Sequence, residues 1–432
     1  MDGLHAGEIT LFIVFIRLLV TWHGQFPSKL LQNLLNYLAR GISDADGGIM
    51  NPQDFLEYCQ RDLDAMLRCL KTAVKIESPS SSKPHLDRMA DFFAAEIHKI
   101  HGTTQILEHP TAGSGVIGEF WGGTKSRRSK AEKAILLVGH LDTVWDVGTL
   151  ARMPFRISKG RAYGPGVMDM KSGIVCGLWA IRALRALRVT PSSPVRFFLN
   201  SDEEVSSLAF RKEILAEARA ARAVLVLEPA AGHALKTARK GVGEFRITVR
   251  GRSAHAGVNP SAGVNAISEL ARQLLRIEKL ARPKQGLTLN VGVIQGGTRS
   301  NVIPERAWAA VDVRIPRASD QKMIEKNVYG LKPIHPQARL EISGGINRPP
   351  MEHAMAAELF RKARELGRLM GMKIEEASTG GGSDGNFTAA LGIPTLDGLG
   401  GVGDGAHALH EHVIISELPR RAALLAALIA TL

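Results

Sequence analysis

The chain has 432 residues, of which 55 are Lys or Arg and 42 are Asp or Glu, so its formal net charge is +13. Its hydrophobic fraction of 45% and charged fraction of 22% are typical of a globular enzyme. This composition argues against a disordered chain, a collagen-like fibre and a polytopic membrane protein. The length predicts about two or three domains.

The positive charge is spread along the chain and forms no basic block. It therefore does not indicate a nucleic-acid partner, and small anionic substrates fit it equally well. The cysteines Cys59, Cys69 and Cys176 show no CxxC spacing. We expect them to be core thiols, because their spacing matches neither a disulfide framework nor a zinc knuckle.

Residues 1–50 are expected to be an extension of poor structure, or a mis-assigned start with Met50 as the first true residue. Their apolar run, 11–20, is interrupted by Arg17 and is shorter than the roughly 20 residues that span a bilayer. No Lys or Arg precedes this run, unlike the basic start of a secretory signal. We expect no stable membrane span and a cytoplasmic location, with a periplasmic or secreted location left open.

The chain that follows alternates predicted helices with buried strands. Apolar residues at helical spacing predict helices at 53–77, 85–101 and 171–188. The runs at 135–138, 195–199 and 224–227 lack polar alternation, as do strands buried on both faces of a sheet. This alternation predicts a layered α/β domain.

The pattern changes near residue 240 and returns after residue 350. Alternating strands are predicted at 244–249, 287–294 and 307–314, with helices at 263–280 and around 319–329. Closing helices are predicted at 352–370 and 418–432. We interpret 238–350 as a small α+β sandwich inserted into a discontinuous α/β domain that comprises 51–237 and 351–432.

Polar residues follow the predicted strands, where ligands of open α/β sheets gather. They are His140 and Asp142 after the first strand, Asp169 at the start of a helix, Glu203 and Glu204 after the second strand, Glu228 after the third, and His407 near the end. Each alone is typical of a structural histidine or a helix cap. Together, imidazoles and carboxylates without a cysteine ligand indicate a zinc or dimetal centre, with Glu203 left free as a base. Asp142 is placed to orient the His140 imidazole.

These residues lie in motifs that resemble a known enzyme family. The stretches are GHLDTV, AYGPGVMDMKSG, NSDEE, LEPA, GRSAHAG, GGTRSNVIPERA, GGGSDG and GAHALHEHV, in family order from about residue 55 to the end. The family is that of dizinc metallopeptidases, which includes carboxypeptidase G-type glutamate carboxypeptidases, acetylornithine deacetylase, succinyl-diaminopimelate desuccinylase and peptidase T. The resemblance implies a three-layer, zinc-peptidase-like catalytic domain with an inserted dimerisation domain.

The resemblance also implies a role for each residue. His140 and Glu228 would hold one Zn²⁺, Glu204 and His407 the other, and Asp169 would bridge them, with Co²⁺ or Mn²⁺ as substitutes. Asp142 matches the family's catalytic aspartate and Glu203 its general base. His255 matches a histidine that reaches the active site of the partner in dimeric relatives and stabilises the oxyanion. Asn301, Arg314 and Gly382 match substrate-binding positions, and a cis peptide is implied after Asp169.

The closest branch is that of the glutamate carboxypeptidases, on the stretch FRISKGRAYGPGVMDMKSG and the spacing from Asn301 to Arg314. The implied reaction is release of a carboxy-terminal amino acid, glutamate, from an N-acyl or peptidyl substrate by a homodimer paired through the inserted domain. An N-acyl-amino-acid deacylase such as acetylornithine deacetylase shares every metal residue and stays open as an alternative. A non-catalytic binding relative is disfavoured, because all five ligands and Glu203 are present.

Several polar residues beside these motifs are interpreted as structural. His410 and His412 flank Glu411 in a loop, and both are expected at the surface, as is His233. Asp202 and Asp404 are expected to form a loop and a turn, not to bind metal.

Overall fold

The computed structural model of the chain describes residues 42–43, 49–122 and 133–432. Within the first 50 residues, Ile42–Ser43 (β1) and Ile49–Met50 (β2) pair as antiparallel strands. The expectations for the remainder of that segment, its apolar run included, lie outside the described residues. Among the described residues, no helix is both long and apolar enough to cross a bilayer.

A six-stranded sheet forms the core of the fold in the part of the chain after residue 52. Its strands are Thr103–Leu107 (β3), Gly115–Phe120 (β4), Ala134–His140 (β5), Val195–Asn200 (β8), Ala221–Val226 (β9) and Thr395–Leu396 (β16). Their order is β16-β9-β5-β8-β4-β3. The first four strands pair in parallel, and β4 pairs antiparallel with both of its neighbours, β8 and β3. Every residue of β5 is buried, as its uninterrupted apolar run predicts.

Helices cover both faces of this sheet. They are Pro52–Arg61 (α1), Leu63–Lys75 (α2), Lys83–Lys99 (α3), Ser172–Ala186 (α4), Arg211–Arg219 (α5), Ala357–Leu369 (α8), Gly385–Ala390 (α9) and Glu417–Thr431 (α10). Phe198 and Val224 pack under α5 and α9 on one face. Phe197 points to the other face, where it meets Gly177 of α4, and α10 packs against α4 and α1. The result is the three-layer α/β arrangement that the sequence predicts.

A second, antiparallel sheet lies between the two parts of this domain in the sequence. Its strands are Gly241–Arg250 (β11), Thr288–Gly296 (β12), Arg306–Ile315 (β13) and Arg339–Arg348 (β14), in the order β12-β13-β11-β14. The helices Ala266–Glu278 (α6) and Ala318–Tyr329 (α7) cover one face. Alternate residues such as Phe245, Ile247 and Val249 enter the shared core, and Arg246 and Arg250 stay exposed. The fold class predicted from the sequence is therefore confirmed, whereas the boundary residues of the two domains stay a prediction.

Short strands attach the loops that carry functional residues. Arg156–Ser158 (β6), Arg161–Tyr163 (β7), Gly403–Asp404 (β17) and His412–Ile414 (β18) form one small sheet, and Leu235–Arg239 (β10) pairs in parallel with Glu376–Thr379 (β15). The start of α4 approaches the end of β9 so closely that a Cβ on Gly173 would lie 1.9 Å from the Leu227 carbonyl oxygen. Only glycine allows this approach.

The predicted and observed elements differ where local pattern is weak. The helix predicted at 53–77 is two helices, α1 and α2, that meet at Asp62. The strands β3, β4 and β14 were not predicted. β14 contains Gly344 and Gly345, which have positive φ and interrupt the alternation of apolar residues.

Candidate metal centre

The predicted metal ligands converge at one edge of the central sheet. His140 is the last residue of β5, and Glu203 and Glu228 follow the neighbouring strands β8 and β9. Because these three strands are parallel, their carboxyl ends meet at the same edge. Asp169 precedes α4, and His407 lies in the loop between β17 and β18.

The residues whose ligand atoms all lie within 4.8 Å of one another are His140, Asp169 and Glu204 in one group and His140, Glu203 and Glu228 in another. In addition, each of the two histidines lies close to Asp169 and to one glutamate. The His140 Nε2 atom lies 3.1 Å from Asp169 Oδ1 and 3.5 Å from Glu228 Oε1. The His407 Nε2 atom lies 3.4 Å from Asp169 Oδ2 and 3.3 Å from Glu204 Oε1. Two ligand atoms bound to one tetrahedral Zn²⁺ at about 2.0–2.1 Å would be about 3.3 Å apart. The spacing therefore fits two divalent metals, one on each side of Asp169.

One buried oxygen beside His407 supports this fit. Glu204 Oε1 is buried and has no hydrogen-bond partner within the described parts of the chain, although His407 Nε2 is 3.3 Å away. A buried carboxylate oxygen without a partner is costly. A cation held between Glu204 and His407 would give this oxygen a partner.

The electric field at the site favours a cation. The nearby carboxylates of Asp169 and Glu204 raise the pKa of His407 to about 10. Burial works to lower the pKa of His140, but Asp142, Asp169 and Glu228 raise it well above its ordinary value. Both imidazoles therefore sense an excess of negative charge, which divalent metals would neutralise.

Glu203 lies beside the predicted metal ligands, but the carboxylates close to His407 are those of Asp169 and Glu204. One of its carboxylate oxygens lies within 4.8 Å of the ligand atoms of His140 and Glu228. Burial raises the pKa of Glu203 well above its ordinary value, although the charge of Arg348 opposes the shift.

Asp142 joins the first histidine to the turn that carries the two glutamates. It is fully buried and accepts hydrogen bonds from the backbone N–H groups of Glu203, at 3.1 Å, and Glu204, at 3.0 Å. Its Oδ1 atom lies 3.3 Å from His140 Nδ1, and its Oδ2 atom accepts a hydrogen bond from Ser80 Oγ at 2.7 Å. The side chain thus orients both the imidazole and the Glu203–Glu204 turn.

Glu411 positions the Asp169 loop, a role that the sequence interpretation missed. Its buried carboxylate accepts hydrogen bonds from the backbone N–H groups of Gly166 at 3.0 Å, Met168 at 2.9 Å and Asp169 at 3.1 Å, and from Trp145 Nε1 at 2.8 Å. The peptide bond after Asp169 is cis, as the resemblance implies. The one available signal was that Glu411 is an acidic residue within the GAHALHEHV motif.

Two buried arginines near the site were also missed. Arg348 forms an ion pair with Glu203 at 2.9 Å, and Arg239 forms one with Glu228 at 3.1 Å. Their sequence neighbours gave no signal, because each lies at the end of a strand, 11 residues from the acidic partner for Arg239 and 145 residues for Arg348.

The predicted substrate residues lie in two places. Arg314 binds Asp312 through Nε at 2.9 Å and Nη2 at 3.0 Å, and its Nη1 atom donates to the Gly380 carbonyl at 3.4 Å. It therefore contacts the glycine-rich run that contains Gly382. The carbonyl oxygen of Gly382 accepts from Arg239 Nη1 at 3.0 Å.

His255 and Asn301 lie in adjoining loops of the second sheet. The His255 ring accepts hydrogen bonds from the backbone of Gly257 at 3.2 Å and Val258 at 3.1 Å, and the Asn301 carbonyl accepts from Ala256 at 2.9 Å. Within the described residues, none of the hydrogen bonds or ion pairs of His255 reaches the metal ligands of its own chain.

The residues interpreted as structural are mostly as expected. Asp202 accepts a hydrogen bond from the Ala209 backbone at 2.6 Å, and the His233 side chain is 61% exposed. The expectation for His412 is wrong, since it begins β18, is buried and lies against the Tyr163 ring. The three cysteines are free and buried, as predicted.

Comparison with known proteins identifies the family. The profile of Peptidase family M20/M25/M40 matches residues 136–431. The chain belongs to this family. It is 31% identical over 377 residues to carboxypeptidase G2 of Pseudomonas sp. (strain RS-16), covering 84% of this chain and 88% of that one. It is 35% identical over 205 residues to acetylornithine deacetylase of Myxococcus xanthus, covering 45% of this chain and 51% of that one.

Solved structures agree with this fold. The aminopeptidase PepT from Bacillus cereus has a TM-score of 0.69 at 19% identity, covering 85% of this chain and 98% of that chain. The Bacillus subtilis YXEP protein, described as a dinuclear metal binding peptidase from the M20 family, has a TM-score of 0.59 at 15% identity, covering 86% and 98%. The chain is thus a hydrolase of peptide or N-acyl amino acid bonds, from a family that binds two metals.

We expect Glu411→Gln to lower metal affinity by about 10–100-fold, the usual cost of losing a residue that orients a ligand. The amide nitrogen would replace one carboxylate oxygen and place its own N–H groups against two of the four donors that Glu411 accepts from, so the Asp169 loop would move. Affinity is measured by competition with a chromogenic chelator.

The matched control is Glu269→Gln in α6. Glu269 is also buried and accepts hydrogen bonds from backbone N–H groups, those of Ile334 at 2.8 Å and His335 at 3.0 Å, but in the second sheet's domain. Its replacement should lower stability without changing metal affinity. Equal affinity in the wild type and Glu411→Gln would contradict the role assigned to Glu411.

Proposed function

We propose that the protein is a two-zinc carboxypeptidase that releases a carboxy-terminal amino acid, glutamate, from N-acyl or peptidyl substrates. The observation that carries the proposal is the Asp169 carboxylate, whose two oxygens face His140 and His407 at 3.1 and 3.4 Å. That arrangement suits a bridging ligand between two metals. The similarity to carboxypeptidase G2 over most of both chains supports the choice of reaction.

The donor set favours Zn²⁺ over harder cations. In this proposal each metal takes one imidazole nitrogen and two carboxylate oxygens, with Asp169 shared. Imidazole suits Zn²⁺, whereas Mg²⁺ and Ca²⁺ prefer oxygen ligands alone. Co²⁺ and Mn²⁺ accept the same ligands and should substitute for Zn²⁺.

The chain's own residues would move one proton and hold the substrate. When bound, the metal pair supplies Lewis-acid chemistry, which acidifies water and polarises an amide carbonyl. The Glu203 carboxylate takes the proton from the attacking water and passes it to the leaving nitrogen. Asp142 keeps His140 and the Glu203–Glu204 turn in place during both transfers.

Substrate recognition would come from the second sheet and the glycine-rich run. The Arg314 guanidinium offers the planar donors that bind a carboxylate, and it already contacts the Gly380 carbonyl. Gly382 and Asn301 would complete the pocket for the free carboxylate. A requirement for that carboxylate distinguishes a carboxypeptidase from a general amidase.

A deacylase is the second candidate, supported by the match to acetylornithine deacetylase over about half of each chain. The two candidates differ in the substrate side chain and not in the metal chemistry. We expect the zinc-loaded protein to hydrolyse N-acyl-L-glutamate and glutamyl-terminated dipeptides faster than N-acetylornithine, measured as kcat/KM. The carboxy-terminal amide of the same dipeptide is the control and should be a poor substrate. Preference for N-acetylornithine would favour the deacylase.

We expect Glu203→Gln to keep both metals and to lose about 10²–10⁴-fold in kcat, the usual cost of a missing general base. Glu204→Gln should instead lose metal from the His407 side, because one ligand oxygen is replaced. Metal content is measured by elemental analysis after dialysis, and kcat on the best substrate of the panel. The reverse pattern would show that the two roles are exchanged.

A homodimer would form through the edge of the second sheet. β12 is an edge strand, and its exposed residues include Val291, Val293 and Ile294 at 40, 44 and 56% exposure. β12 and Leu275 of α6, which is 60% exposed, border an apolar groove of about 500 Å³. An uncharged, apolar edge of this kind invites a second strand. A second copy would pair edge to edge by two-fold symmetry and could deliver His255 to the site of its partner.

We expect Ile294→Lys to produce monomers in analytical ultracentrifugation and to lose activity, because His255 would no longer reach a site. The matched control is Ile157→Lys, since Ile157 is 53% exposed on β6; this variant should stay dimeric and active.

Complementation tests whether His255 acts across the interface. Mixing inactive His255→Ala and Glu203→Ala chains should restore activity toward half of the wild-type value per dimer. The heterodimer would hold one site with both native residues and one with neither. Absence of recovery despite subunit exchange would place His255 in its own subunit or outside the reaction.

A further inference from the structure

Two buried arginines stand where the chain enters and leaves the second sheet. Arg239 is the last residue of β10, just before β11, and Arg348 is the last residue of β14. The two connections run side by side, because Val242 pairs with Arg348 and the backbone of Arg239 exchanges two 3.0 Å hydrogen bonds with Met351. The arginines therefore belong to one junction, which joins the second sheet to the metal-site domain.

Arg239 uses its whole guanidinium within the protein. Its Nε and Nη2 atoms bind Asp397 at 2.7 and 2.8 Å, and Nη2 also binds Glu228 Oε2 at 3.1 Å. Its Nη1 atom donates to the carbonyls of Gly381 at 3.1 Å and Gly382 at 3.0 Å. Arg239 is 3% exposed. The five donors of the fork thus meet five acceptors, which fixes the Glu228 carboxylate to the glycine-rich run.

Arg348 makes the equivalent connection to Glu203. Its Nη2 atom lies 2.9 Å from both the carboxylate Oε1 and the backbone carbonyl of Glu203. Nη1 binds Asp384 at 2.9 Å, and Nη2 also donates to Ser207 Oγ at 3.1 Å. Arg348 is 5% exposed. One guanidinium therefore holds the side chain and the backbone of the same glutamate.

We propose that the junction delivers one positioning residue to each half of the site: Arg239 holds the metal ligand Glu228, and Arg348 holds the base Glu203. Both guanidiniums are buried and bound to the carboxylates of Asp397 and Asp384, so the contact of each with the proposed metal ligands and base is through its glutamate. The two effects are separable, because Arg239 bears on metal binding and Arg348 on proton transfer. The inference rests on the proposed function for the roles of Glu228 and Glu203.

The experiment compares Arg239→Lys with Arg348→Lys. Lysine keeps the positive charge beside Asp397 or Asp384 but lacks the several donors of the planar guanidinium. The variant should therefore fold while losing the contact with Glu228 or Glu203. Arg421→Lys is the control for loss of a buried arginine, since Arg421 is 3% exposed in α10 and donates to the His233 carbonyl. Circular dichroism of all three variants checks that they fold.

Metal affinity is measured first, by chelator competition with Zn²⁺ and no substrate. Arg239→Lys should weaken binding of one Zn²⁺ about 10–100-fold, whereas Arg348→Lys and Arg421→Lys should match the wild type. Wild-type affinity in Arg239→Lys would overturn its half of the proposal. This measurement does not depend on which substrate the enzyme takes.

Turnover is measured next, at saturating Zn²⁺. Arg348→Lys should lower kcat about tenfold to a hundredfold at unchanged KM, as a misplaced catalytic group does. A raised KM at unchanged kcat would show that Arg348 binds substrate instead, which overturns its half.

A double-mutant cycle with Glu203→Gln completes the test. If Arg348 acts through Glu203, Arg348→Lys should cause little further loss in the Glu203→Gln background. Additive losses would mean that Arg348 has a separate role. Full kcat in Glu203→Gln alone would show that the proposed base is wrong, and the assignment of Arg348 would fall with it, while the metal titration of Arg239→Lys would still decide the other half.

Discussion

A single carboxylate sets the geometry of the candidate metal centre. Asp169 directs one oxygen toward His140 and the other toward His407, and these histidines are far apart in the sequence. The position of Asp169 therefore decides whether two ligand groups can exist at all. Glu411 holds the Asp169 loop through three backbone N–H groups and Trp145, so the bridging position depends on a residue more than 240 positions away in the chain.

The site also concentrates buried negative charge, which must be compensated for the fold to be stable. Asp142 is satisfied by the backbone N–H groups of Glu203 and Glu204, and by Ser80. Arg239 and Arg348 compensate two further carboxylates, those of Glu228 and Glu203. Glu204 Oε1, which lacks a hydrogen-bond partner among the described residues, lies beside His407 at the candidate metal centre.

The second sheet is tied to this charge network at its junction. Both strands that connect it to the catalytic part carry a buried arginine that contacts a glutamate of the site, and Arg314 within the sheet contacts the glycine-rich run. Its far edge, β12, is apolar and exposed. The sheet therefore contacts the candidate metal centre at one end and exposes an apolar strand at its far edge. This arrangement is the one expected if each subunit of a dimer lends a residue to its partner.

Sequence alone determined the class of the fold, the order of most of its elements and the residues that could bind metal. Apolar runs such as that of β5 report burial directly, and the motifs at strand ends report chemistry, because both depend on neighbours in the chain. Sequence alone could not predict three kinds of feature: the break between α1 and α2 at Asp62, the strands β3, β4 and β14, and the burial of His412. Those features depend on contacts between distant segments.

The same distinction holds within the site. His140, Asp169, Glu204, Glu228 and His407 could be selected from motif and residue type, and the family resemblance implied their division around Asp169. The distances between these side chains came only from the tertiary structure. Arg239 and Arg348 had no local signal, since an arginine at a strand end is ordinary in any sequence, and Glu411 had only its place within the GAHALHEHV motif. Only tertiary structure decided their roles, because a buried charge acquires its meaning from the partner that folding places beside it.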